Sequence, residues 1–231
     1  MAKSWLPLEA NPEILTKYCR GLGLPENLAF HDVLGVEKWA IEMLPQPLCA
    51  ILLLFPISPA SERERTSTKC SDENSGVYFM KQMVGNACGT IAVLHAMLNL
   101  QETGDLVFQD SSYVSRMREA TRTLSADARA AWLEKDSEIE TAHIATEQLG
   151  QSAAPTDSQV EVETHFIAFL RFGSMVYELD GRRDGPVVRA SLDDPGEFGP
   201  RTLEVIKREF MDRNPEDIRF NILALAPSES D

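Results

Sequence analysis

VYFMKQMVGNACGTIAVLHAMLNL, residues 77–100, opens with the strand formers Val77, Tyr78 and Phe79, breaks at Gly85-Asn86, and continues with Ile91, Leu94 and Leu98 at helical spacing. Cys88 therefore falls in the first turn of a helix. The leading N–H groups of a helix lack intrahelical partners and its dipole favours negative charge there, so a thiolate is stabilised relative to the thiol. Gln82, six residues upstream, carries an amide able to donate to an oxyanion beside such a sulfur. The same two residues also read as a buried small hydrophobe and a surface glutamine, because most intracellular cysteines only pack.

Composition narrows the field. At 231 residues the chain suits one domain, 1–231, with loop insertions, and 43% hydrophobic with 25% charged residues is the balance of a folded globular protein rather than a disordered one. A net charge of −14 argues against a nucleic-acid binder and suits a substrate or partner with a basic surface. Cys19, Cys49, Cys70 and Cys88 show no CxxC pairing and no dense framework, so reduced thiols and no metal or cofactor are expected. The N-terminal MAKSWLPLEANP lacks the apolar centre of a signal peptide, and the longest apolar run, residues 48–55, is too short to cross a bilayer. A cytoplasmic location away from membranes is the expectation, with the nucleus left open.

Asn11-Pro12-Glu13 carries a capping side chain and a proline for the first helical position, and starts a helix that Gly21 and Gly23 close. Residues 48–55, LCAILLLF, read as a strand buried on both faces. Residues 58–75 are polar and charged and read as a loop, while 111–123 and 125–133 read as helices, the second capped by Ser125. Residues 134–163 hold eight carboxylates against one lysine with little periodicity, and about 20 of them read as a long surface loop. Two strands, 164–171 and 174–180, flank a turn at Phe172-Gly173. A helix over 201–212 and a strand over 219–226 complete the chain.

A thiol nucleophile needs a base within hydrogen-bond reach and a group that orients the base. His95 shares the helix of Cys88 but lies about 10 Å along it, seven residues at ~1.5 Å each, which excludes it. His31 and His143 have no acid placed beside them by local structure. His165 and Asp180 are equidistant from the Phe172-Gly173 boundary, so a hairpin folded there sets them directly opposite one another, with Cβ atoms about 4.5–5.5 Å apart. An ordinary cross-strand polar pair fits the same arithmetic.

WLPLEANPE at 5–13, PLCAILLLFPI at 47–57, VYFMKQ…GNACGTI at 77–91, HFIAF at 165–169, YELDGR at 177–182 and RFNILAL at 219–225 occur in this order. Together they make the chain resemble the ubiquitin carboxyl-terminal hydrolases, papain-like cysteine peptidases, and most nearly the short single-domain members. That resemblance implies an α+β fold with an antiparallel-rich sheet between helical layers and a knotted chain path. It implies Cys88 as nucleophile, His165 as general base and then acid, Asp180 as the group that orients His165, and Gln82 as oxyanion donor. It also implies an active-site crossover loop within about 136–160 that restricts the enzyme to small or flexible leaving groups, and contacts to ubiquitin from Pro7, Leu8, Glu9 and Asp32. Ubiquitin's arginine-containing tail gives the acidic balance a reason. A monomer acting at the C-terminal glycine of ubiquitin is the expectation; slow cleavage by a monoubiquitin-holding protein and preference for Nedd8 are the alternatives.

Overall fold

Residues 3–71, 76–103, 106–150 and 162–228 are described by the structure, a computed structural model. The apolar run near position 50 forms a central strand, β2 (Ala50–Pro56), whose side chains alternate between two cores. Ala50 and Leu52 face one core and Ile51, Leu53 and Phe55 the other, which is why the run is continuously apolar rather than alternating. Around it lie β1 (Leu28–Asp32), β3 (Thr164–Phe172), β4 (Met175–Leu179), β5 (Val187–Ser191) and β6 (Asn221–Pro227). They form one six-stranded sheet in the order β1-β6-β2-β3-β4-β5, antiparallel throughout.

Helices cover both faces, as the α+β expectation required. On the first face lie α1 (Pro12–Leu22) and α4 (Cys88–Thr103), and on the second α2 (Lys38–Glu42) and α8 (Phe198–Ile206). The helix α1 starts where Asn11 Oδ1 accepts from the backbone N–H of Glu13 at 3.0 Å and Ile14 at 3.2 Å, a cap worth about 1 kcal/mol. Every residue from Ala87 to Leu100 is buried, so α4 is not a surface helix with one apolar stripe but the hub of the first core. The helices α5 (Tyr113–Thr121), α6 (Ala126–Glu134) and α7 (Ser137–Glu147) follow it. No helix among the described residues is long and apolar enough to cross a membrane.

Three expectations give way. Val77, Tyr78 and Phe79 join no strand, because side chains of α4 take their backbone groups: Asn99 accepts from the Tyr78 N–H at 2.7 Å and donates to its carbonyl at 2.8 Å. Residues 58–75 contain a helix, α3 (Pro59–Ser67), begun by a reciprocal Ser58/Ser61 capping box. Ser58-Pro59 repeats the cap-then-proline start of α1, but α3 buries only Glu64 and so shows no apolar period. The loop expected within 136–160 is helical through Glu147, for α7 is capped by Asp136 and buries Ile139, His143 and Thr146. The spacing is helical, yet two of the three buried residues are polar. Residues 151–161 of that expected loop lie outside the described residues.

Candidate active site

Cys88 is the first residue of α4. Ahead of it Asn86 turns the chain at φ 57°, a left-handed conformation that asparagine tolerates better than most residues, and its side-chain amide donates to the Trp5 carbonyl at 3.1 Å. The N-terminal arm is pinned beside this turn, with Trp5 N–H donating to Gly85 O at 3.0 Å and Gly85 N–H to Lys3 O at 2.9 Å. Trp5 and Leu8 are buried, so the arm packs on the core and at the same time lines the approach to the sulfur.

The β3–β4 hairpin brings His165 to Cys88, in a register different from the expected one. Phe172 pairs with Met175, so Gly173 and Ser174 are the two turn residues, and Gly173 at φ 60° occupies the first position, where a II′ turn takes glycine. Ala168 pairs with Leu179, the ladder ends there, and Asp180 stands diagonal to His165 rather than opposite it. The diagonal keeps both on one side of the sheet, and His165 Nε2 meets Asp180 Oδ1 at 2.7 Å. The ring stands edge-on to Phe55, 5.8 Å between centroids. With Nε2 so engaged, Nδ1 is the nitrogen left for the hydrogen bond between His165 and Cys88.

These three groups shift one another. Burial works to raise the Cys88 thiol, but the hydrogen bond and charge of His165, then the backbone N–H groups of Phe166 and Gly89, hold it below its ordinary value. Burial works to lower His165, and the Asp180 carboxylate overrides it, raising the imidazole to about 9. Asp180 is pushed down to about 2: burial opposes this, and the charge and hydrogen bond of His165, the Arg182 N–H and the Arg183 guanidinium prevail. The three shifts favour a thiolate beside an imidazolium that a carboxylate orients, the charge arrangement that suits a thiol nucleophile with its acid and base attached.

Gln82 enters by backbone contact. Its N–H donates to the Gly181 carbonyl at 2.8 Å, and a Cβ at Gly181 would meet the Gln82 Cβ at 3.0 Å, so only glycine after Asp180 admits this approach. The Gln82 amide nitrogen donates one hydrogen to Val84 O at 3.1 Å and has a second to offer, while its Oε1 is buried with no donor among the described residues. A cleft of about 540 Å³ is lined by Cys88, His165 and Gln82, by Pro7, Leu8 and Glu9 of the arm, and by Glu147 and Gly150 at the end of α7. Asp32 is not part of it and lines a separate depression beside α1. Arg182, missed in the sequence, also borders the cleft and donates to Glu62 of α3 at 2.7 Å; its place directly after Asp180-Gly181 was the available signal.

The other histidines are structural. His95 Nε2 lies 3.1 Å from the N and O of Met80, His31 Nε2 lies 2.9 Å from the Pro227 carbonyl, and His143 bridges Thr90 to Leu6. Among the described residues no group of three or more His, Cys, Asp or Glu side chains is placed to hold a metal ion, and all four cysteines are free thiols.

Comparison with known proteins adds an independent line. The family model described as ubiquitin carboxyl-terminal hydrolase, family 1 matches residues 5–212. Ubiquitin carboxyl-terminal hydrolase 3 of Arabidopsis thaliana is 38% identical over 230 residues, covering 97% of this chain and 95% of that protein. Ubiquitin carboxyl-terminal hydrolase isozyme L1 of Monodelphis domestica is 38% identical over 223 residues, covering 95% of this chain and 96% of that one. The catalytic domain of Trichinella spiralis UCH37, solved bound to ubiquitin vinyl methyl ester, superposes with a TM-score of 0.77 over 97% of this chain and 96% of that one; at 23% identity this speaks for the fold.

Proposed function

The chain belongs to ubiquitin carboxyl-terminal hydrolase family 1, and from that premise we propose that Cys88, His165, Asp180 and Gln82 carry out its reaction at the C-terminal glycine of ubiquitin. It is a cysteine-type deubiquitinating hydrolase. The observation that carries the residue assignment is the Cys88–His165–Asp180 array at the head of α4, opening onto a cleft.

The Cys88 thiolate adds to the glycyl carbonyl carbon, and the carbonyl π electrons move onto oxygen. The free N–H of the Gln82 amide and the backbone N–H of Cys88 at the helix start stabilise that oxyanion. As the oxyanion collapses, the bond to the leaving amine or alcohol breaks and His165 gives the departing atom its proton, leaving a thioester on Cys88 and a neutral imidazole. Water then attacks the thioester while His165 takes its proton, and the thiolate departs beside a restored imidazolium. Asp180 keeps its hydrogen bond to Nε2 throughout, fixing the ring so that Nδ1 stays on the sulfur.

Pro7, Leu8 and Glu9 wall the Cys88 cleft and are proposed to receive the ubiquitin tail, Glu9 supplying a carboxylate for the tail's arginines. Asp32 would contact ubiquitin's body, away from the scissile bond. Glu147 and Gly150 at the end of α7 stand at the rim of the cleft and are proposed to limit the leaving group there. The experiment compares wild type and Cys88→Ala on a ubiquitin C-terminal fluorogenic amide, with the Nedd8 equivalent alongside. Turnover of the ubiquitin substrate by wild type alone is expected, and equal rates would refute the assignment.

A further inference from the structure

Behind Asp180 lies a second set of buried charges that the reaction does not use. Glu64 of α3, Glu178 of β4, Arg183 of the turn that follows β4, and Arg189 of β5 have side chains between 1% and 7% exposed. Arg183 donates Nε to Glu178 Oε1 at 2.8 Å and Nη2 to Glu64 Oε2 at 2.5 Å. Arg189 donates Nε to Glu178 Oε2 at 2.7 Å and Nη2 to Glu64 Oε1 at 2.6 Å. Each guanidinium thus bridges both carboxylates, and the ring closes with its charges cancelled. Thr68 adds a hydroxyl to Glu64 at 2.6 Å, and Arg183 Nη1 reaches the Arg65 carbonyl at 2.7 Å.

An apolar set of equal volume commonly holds a fold as well as a buried ion pair does, so what such a ring contributes is direction. Its direction is toward Asp180. The Arg183 N–H donates to the Asp180 carbonyl at 2.9 Å, the Arg182 N–H to Asp180 Oδ1 at 2.8 Å, and Arg183 Nε stands 4.0 Å from Asp180 Oδ2. The turn over 180–183 is therefore tied at its main chain to Asp180 and at the Arg183 side chain to β4 and α3. The last of these begins just beyond β2, where Phe55 is the ladder partner of His165. The ring spans from the support of His165 to the support of Asp180. An uncompensated guanidinium at 4.0 Å would compete with the imidazolium for Asp180. Two carboxylates on Arg183 blunt that competition, leaving His165 as the cation Asp180 serves.

We propose that Arg183, clamped between Glu64 and Glu178, is a positioning residue that holds the Asp180 turn at hydrogen-bond reach of His165. This rests on the reading of Asp180 as the group that orients His165. The test measures kcat and KM on the ubiquitin fluorogenic amide, and the pH dependence of Cys88 alkylation by iodoacetamide, which needs no ubiquitin. Arg183→Met is expected to lower kcat about tenfold with KM within about twofold, and to move the alkylation midpoint to higher pH as the thiolate–imidazolium pair weakens. Arg183→Lys, keeping the charge without the fork, is expected to recover to within about threefold of wild type. Arg183→Met in an Asp180→Asn background is expected to cost nothing further, because both act on one contact.

A folded Arg183→Met with wild-type kcat and alkylation profile overturns the clamp, as does a full additional loss in the double variant. If Asp180→Asn itself is as fast as wild type, the reading of Asp180 falls and the clamp with it. A slow Asp180→Asn beside a fast Arg183→Met overturns the clamp alone. Should Arg183→Met fail to fold, Glu64→Gln, which leaves Arg183 its Glu178 anchor, is expected to lose about threefold in kcat with the same direction of alkylation shift. Wild-type values there overturn the proposal.

Discussion

His165 and His143 are two buried imidazoles, 3% and 0% exposed, each with both ring nitrogens engaged, and they are driven to opposite charge states. Burial disfavours the imidazolium in both. His165 is nonetheless raised to about 9, because the Asp180 carboxylate stands 2.7 Å from Nε2. His143 is lowered to about 4, burial prevailing over the Leu6 carbonyl and the charge of Glu140. Its Nε2 faces the Leu6 carbonyl at 2.7 Å, which can only accept, so Nε2 carries the proton and Nδ1 must accept from Thr90 Oγ1 at 2.8 Å. Thr90 in turn accepts from Tyr18 at 2.9 Å, so donation runs in one direction from Tyr18 through Thr90 and His143 to Leu6. Glu147 lies 3.7 Å from His143 Nε2, and burial raises this carboxyl too, so it does not charge the ring. A carboxylate at contact distance makes a buried histidine a cation; burial or mere nearness does not. The neutral chain joins α1, α4, α7 and the N-terminal arm, and so holds the cleft wall steady two residues from Cys88.

Removing that carboxylate is the largest way to break the contrast. Asp180→Asn is expected to lower kcat on the ubiquitin amide about 10³-fold, by analogy with the loss when the orienting acid of a serine triad becomes an amide. The remaining ring should then behave more like His143, its titration falling from about 9 when followed by NMR of the imidazole protons.

Acid sharpens the contrast next. Because His143 and His95 are lowered to about 4, the unfolded chain binds more protons than the folded one below its own value of 6.5. Each therefore withdraws up to about 3 kcal/mol of stability as pH falls from 6.5 to 4. His165 contributes in the opposite sense: raised to about 9, it adds stability that is complete below 6.5 and lost as pH rises through 9. Asp180, lowered to about 2, adds stability that is complete above 3.8 and lost as pH falls through 2. Between 4 and 6.5 the His165–Asp180 contact is constant, so the slope contributed by histidines in that window belongs to the neutral ones. His143→Gln is expected to cost about 1–3 kcal/mol at pH 7 and to remove about half of that slope, as read by urea unfolding at pH 7 and pH 4.5.

Much of this was legible in the chain, and the failures share a cause. The strand at β2, the helix starts at Asn11 and Ser125, and the thiol at the head of α4 rest on apolar period and capping chemistry, which are local signals. The helices α3 and α7 escaped because α3 buries only Glu64 and two of the three residues α7 buries are the polar His143 and Thr146; Glu64 and His143 find partners far along the chain. The hairpin arithmetic identified the right pair through the wrong register. Gly173 fixes the turn one residue later than the midpoint assumed, and the 165–180 contact survives as a diagonal. The Glu64–Arg183–Glu178–Arg189 ring was not legible at all: its members come from α3, β4, β5 and the turn between the two strands, and each alone reads as a surface charge.

The smallest test separates the hydrogen-bond chain from the charge of its histidine. Tyr18→Phe removes the donor at the start of the chain and leaves Thr90 still donating to His143. The buried hydroxyl of Thr90 then lacks one accepted bond, and a net loss of about 1 kcal/mol is expected by urea unfolding. The His143 titration should stay near 4, since nothing charged has entered or left its surroundings. The Cys88 alkylation profile should not move either, since His165 and Asp180 are untouched. A shift of that profile would mean that the neutral chain transmits to the thiol through Thr90. The two histidines would then form one coupled system rather than two independent answers to burial.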